Sequence, residues 1–125
     1  MASAAADAKA KEFRVPMDKA SIYVYRNETF GAAVKMPVTL DGRMMGSSAA
    51  NTYFHWLVEP GQHSIASHTE NDASITLDVE AGKDYYVWQE VKMGMWAAGS
   101  QLHRVDQQTG RDGVRECKLI AAATR

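Results

Sequence analysis

From Ala20 onward, apolar and polar positions alternate with a period of two along most of the chain, and helical spacing is scarce. Successive side chains of a strand point to opposite faces, so this alternation predicts half-buried strands. In Ala20–Arg26, Ile22 and Val24 share one face while Tyr23 and Tyr25 take the other, and both faces are expected to be covered. In Met36–Leu40, Met36, Val38 and Leu40 point inward. Pro37 has no N–H for a ladder, which puts this strand at an edge or turns its proline to an unpaired side. Ser74–Val79 alternates most cleanly, with Ile75, Leu77 and Val79 facing in. The longest strand spans Asp84 to Lys92, with Tyr85, Val87, Gln89 and Val91 on one side and Tyr86, Trp88 and Glu90 on the other. A last strand is read over Gln101–Val105.

Turn chemistry sets the connections. Asp41-Gly42 is a two-residue hairpin signal of the primed type, with Arg43–Gly46 as the return arm. The run Thr52–Ala66 meets a break at Pro60-Gly61 and reads as a central antiparallel hairpin. Glu80–Lys83 forms a further turn. Asp106 is placed to cap a short helix reaching Lys118, with Val114 and Cys117 on its apolar stripe. Gly110 and Gly113 each weaken that helix by roughly 1 kcal/mol relative to Ala. Residues 1–19 are expected to be a flexible leader, 20–120 one domain, and 121–125 a frayed tail. The fold class is all-β: an antiparallel two-layer β-sandwich of seven to eight strands with a short C-terminal helix.

Composition narrows this only a little. One core suits 125 residues, and 46% hydrophobic with 23% charged residues is ordinary for a globular domain. A formal charge of −1 lacks the basic excess that a phosphate backbone demands, so no nucleic-acid partner is expected. No apolar run approaches the ~20 residues of a membrane-spanning helix. Cys117 is the single cysteine, which excludes an intrachain disulfide.

Candidate chemistry is thin. Of His55, His63, His68 and His103, the pair His55 and His63 falls on the two arms of the central run. Facing each other, they would serve as a surface cross-strand pair or as the metal ligands of a small hydrolase. His63 and His68, five apart, point to opposite faces of a continuous strand. Cys117 reads as a small buried hydrophobe. No Gly-x-Ser-x-Gly elbow and no phosphate-cradling glycine loop is present. No catalytic residue, metal site or cofactor is assigned. Met95 and Trp96, in the Gly-flanked loop Met93–Ser100, are the candidate binding residues, since exposed Met and Trp suit protein contacts.

Four segments in order carry a resemblance: Ser21–Arg26, Val38–Gly42, Tyr53–His63 with its Pro60-Gly61, and Val79–Tyr86 with Ala81-Gly82-Lys83. Together they resemble the bacterial family catalogued as domain of unknown function 2846, over about Ala20 to Leu119. The order of turns is also similar to that of domains named for a Pro-Glu-Gly-Ala motif, which implies a prealbumin- or immunoglobulin-like sandwich. The resemblance implies small lipoproteins or secreted proteins of the Gram-negative envelope, periplasmic or outer-membrane associated, with a signal peptide removed and a lipid anchor upstream. The expected role is a non-enzymatic binding or assembly module with a protein partner. A glycan or peptidoglycan binder presenting a Tyr/Trp face, and the His55/His63 hydrolase, are the other readings.

Overall fold

The computed structural model describes residues 1–28, 34–69, 72–93 and 98–121. Its most buried strand, β1 (Ala20–Arg26), lies at the centre of a five-stranded sheet. β1 pairs antiparallel with β4 (Thr52–Val58) and parallel with β7 (Asp84–Met93). Outside β7 lies the antiparallel β8 (Ala98–Val105), and outside β4 the two-residue parallel β9 (Lys118–Leu119). The second sheet is antiparallel throughout, in the order β3 (Arg43–Ser48), β2 (Met36–Leu40), β5 (Gly61–Ser67), β6 (Ala73–Val79). Ile22, Val24, Phe54 and Val87 of one sheet meet Val38, Ile65 and Leu77 of the other in the core.

The two-layer sandwich matches the expectation, but the larger sheet is mixed rather than antiparallel. Alternation records which face a residue takes and says nothing of strand direction. The two parallel pairs need no helical crossover, because the chain visits the other sheet between their strands.

Three local expectations change. Pro60-Gly61 does not join a hairpin: β4 and β5 belong to different sheets, and the chain turns a corner between the layers there, with Gly61 at φ +128°. Apolar runs flank both kinds of turn, so the local pattern could not separate them. β2 is an interior strand, so of the two alternatives the edge falls and the unpaired proline holds. Pro37 is tolerated because it sits beyond the β2–β5 ladder, where its carbonyl accepts from the His68 N–H at 2.8 Å. The Asp41-Gly42 hairpin forms as read, with φ of +52° and +83°.

The third change is the leader. Ser3 caps α1 (Ala4–Ala10) through the Ala6 N–H, and the helix is bonded to the sheet. Tyr23 Oη donates to the Ala10 carbonyl at 2.7 Å, and Tyr53 Oη donates to Asp7 Oδ1 at 2.7 Å. Ala-rich sequence is marginal as an isolated helix, and these tertiary bonds hold it. Phe13 then packs on the Tyr23 and Tyr86 rings. α2 (Gln107–Arg115), capped by Asp106 as expected, closes the same face. A Cβ at Gly110 would lie 2.2 Å from Tyr86, and one at Gly113 2.2 Å from Tyr25. The glycines that weaken α2 are what let it approach the sheet. Tyr23, Tyr25, Tyr53 and Tyr86 are thereby buried.

Candidate functional site

Along one side the sandwich is shut by β6 against β8; along the other, β3 and the β4–β9 edge face a gap. Gly46 of β3 holds the two layers together at one end of that gap, its φ of +142° and missing side chain letting it lie against Phe54 and Ile120. From there the gap widens into a cavity of about 260 Å³, walled by Arg43, Met45, Phe54, Trp56 and Ile120. An open groove of about 550 Å³ continues it past Asp41 and Leu57. A third depression, also about 550 Å³, lies on the outer side of β4, between Leu57 and the Glu12–Pro16 segment. His55 lines all three.

The register explains the setting of His55. It faces Tyr23 of β1, which in turn faces Tyr86 of β7, so three rings stack across three strands. The His55 and Tyr23 centroids are 4.3 Å apart with planes 13° from parallel, and the Tyr23 and Tyr86 centroids are 5.0 Å apart. His55 Nε2 lies 2.6 Å from Ser21 Oγ. Burial disfavours the imidazolium and pushes the pKa down to about 4, so the ring is neutral near pH 7. Ser21 is 0% exposed. A Ser-His pair that no substrate can reach is no nucleophile, whatever its hydrogen bond.

His63 lies in the other sheet. Its Nδ1–H donates to Asp41 Oδ2 and its Nε2–H to the Glu59 carbonyl, both at 2.7 Å. Both partners only accept, so the setting favours the doubly protonated ring. Burial opposes that charge, but the carboxylate and carbonyl outweigh it and raise the pKa. Asp41 also accepts from the Ser64 N–H, tying the β2–β3 turn to β5. His55 and His63 are therefore not a facing pair, and they share no ligand geometry. His68 bonds Thr39 and Asp72, and His103 bonds Glu90. Among the described residues no cluster of three His, Cys, Asp or Glu side chains is placed to hold a metal. Cys117 is buried, and burial pushes its thiol up to about 12. Met95 and Trp96 lie outside the described residues. Among the described residues, the tyrosines of the larger sheet's outer face are buried, and Trp88 beside them is half-buried and stacked on His103 with centroids 5.2 Å apart.

Residues 16–100 match the model of the family described as Protein of unknown function (DUF2846). The chain belongs to this family. An uncharacterized protein of Haemophilus influenzae is 28% identical over 124 residues, which takes in 98% of this chain and 74% of that protein. No solved structure matches. In this DUF2846 chain the matched segment carries β1 to β7, with His55, His63 and His68; α1, most of β8 with His103, α2 and β9 fall outside it.

A second polar group, missed in the sequence, lies inside the DUF2846 sandwich at the end of β1. Arg26, Ser48, Ser67, Gln89 and Ser100 are all buried. Ser48 Oγ donates to Gln89 Oε1 at 2.6 Å, Gln89 Nε2 donates to Ser67 Oγ at 2.7 Å, and Ser100 joins Ser67 at 2.8 Å. Arg26 Nη1 donates to the Val34 carbonyl at 2.6 Å. The signal was in the alternation: Arg26 continues the inward register of Ile22 and Val24, and Gln89 sits between Val87 and Val91. Ser48, Gln89, Ser67 and Ser100 bond one another across both sheets and form a polar end to the core, with Arg26 beside them.

Proposed function

We propose that this chain is a non-enzymatic binding or assembly module of the bacterial cell envelope, and that it takes its partner in the cleft between β3 and β4. One observation carries the reading. A gap between two strand edges reaches the core rings Phe54 and Trp56, and its histidine, His55, is stacked, neutral and bonded to an inaccessible serine. Acid–base catalysis calls for a group poised near the working pH beside a reachable partner, and His55 has neither feature. A concave, largely apolar surface with few polar groups is what a binding site offers. The envelope location rests on the resemblance of the turn motifs to envelope proteins.

The test is position-dependent cross-linking in intact cells that express the full gene. A photoreactive residue replaces Leu57 in the cleft or Asp78 on the exposed face of β6. A discrete adduct from position 57 and none from 78 is expected; equal adducts, or none, sink the binding reading. Fractionating the same cells tests location, and recovery in the cytoplasm would remove the envelope from the proposal.

A further inference from the structure

Among the described residues, the edge of β4 is only partly occupied. β9 pairs with it at Thr52 and Tyr53, where the Ile120 N–H donates to the Tyr53 carbonyl at 2.9 Å, and no described residue continues the ladder. At the far end, the Glu59 carbonyl is taken by His63 Nε2–H. Between these lie His55 and Leu57. Their peptide groups point away from β1: the opposite residue, Ser21, turns its N–H to Lys83 on the β7 side, which makes Ser21 and Leu57 a pair that exchanges no bonds. Tyr53, two residues earlier on the same register, already shows this outward direction. His55 and Leu57 thus present two donors and two acceptors to the cleft.

We infer that the partner is an extended peptide segment that adds to the β4 edge next to β9, bonding the main chains of His55 and Leu57. This rests on the binding reading above and names its partner class. Backbone groups in a row are matched by another backbone. β9 shows the mode in place on this same edge, and the added segment continues it. The cavities supply what strand addition needs beyond that. Alternate side chains of an added strand point to opposite faces, one set toward the cavity of Arg43, Met45 and Trp56, the other toward the depression beside Leu57 and Val15. At about 3.3 Å per residue, the open stretch accepts roughly three to four residues. Since β3 flanks the gap and Gly46 closes its end, a single strand fits where a second folded copy would meet β3.

The probe is a displayed library of random dodecapeptides selected on the full chain, with enriched peptides resynthesised. Hydrogen exchange should show the His55 and Leu57 amides open in the free protein and protected with peptide. N-methylation at every second peptide residue should weaken binding about tenfold, as expected for one lost hydrogen bond, and methylation between them should not. On the protein, Leu57→Pro removes one outward donor and no β1 bond, so it should weaken binding by about the same factor while melting near wild type. The peptide series leaves the protein unaltered and decides the matter if that variant fails to fold. Binders indifferent to N-methylation, protection elsewhere, or no enrichment would overturn strand addition. Amides already protected without peptide would overturn it too: protection lost on dilution assigns the edge to a second copy, and protection that persists assigns it to the chain's own tail. If the position-57 cross-link persists while the peptide series fails, binding stands and strand addition falls; if the cross-link itself is lost, both fall.

Discussion

His55 and His63 titrate in opposite directions, and the sign of each follows from what it touches. His63 has a folded pKa above its ordinary 6.5, so its contribution is complete below 6.5 and is lost as pH rises through the folded value. His55 has a folded pKa near 4, so its contribution is complete above 6.5 and is lost as pH falls from 6.5 toward 4. Melting temperature against pH should therefore peak near 6.5. His55→Gln, which can still bond Ser21, should flatten the acid limb between 6.5 and 4, and His63→Gln should flatten the alkaline limb. Parallel shifts of the whole curve in both variants would refute the assignment. None of this was legible from the spacing of the two histidines. His55 meets Tyr23 and Ser21, some thirty residues upstream, through a register that only the assembled sheet defines.

Among the elements, α2 shows where propensity and packing disagree. In an isolated helix, Gly113→Ala would stabilise by roughly 1 kcal/mol. In this fold the new methyl would fall 2.2 Å from the Tyr25 ring, and that ring is itself buried. The variant should lose about 1–3 kcal/mol in urea unfolding, and a gain would show that α2 can slide away from the sheet. The corner at Gly61 behaves differently. A side chain there would meet nothing within 4 Å, so Gly61→Val carries only the strain of a positive φ, about 1–3 kcal/mol, and should keep the fold. The sequence disclosed these elements well, from the Asp41-Gly42 hairpin to the Asp106 cap. It did not disclose that Pro60-Gly61 joins two layers, because a corner and a hairpin place the same residues between the same apolar runs.

For the molecule as a whole, the N-terminal segment is part of the fold. Phe13 packs against Tyr23 and Tyr86 from below, with the Arg111 and Arg115 guanidinium groups over its ring at 5.1 and 5.2 Å. Phe13→Ala should cost about 3 kcal/mol in chemical unfolding, and a loss below about 0.5 kcal/mol would mean that the segment merely rests on the surface. Sequence reasoning read residues 1–19 as loose because α1 has no strong stripe of its own; its anchors are hydroxyl groups of tyrosines far along the chain. The two sheets were legible for the opposite reason, since a half-buried strand writes its own burial in alternate residues.

The parallel pairing of β1 with β7 also orders events in time. β1 is made early, yet one of its two neighbours, β7, begins about sixty residues later, at Asp84. Until that stretch has left the ribosome, the most buried strand of the chain has one side unfilled. Contacts so distant in sequence close slowly, and folding on the scale of milliseconds to seconds is the expectation for such a topology. A newly made chain thus passes through a period in which β1 is open on one side, before β7 arrives to seal it.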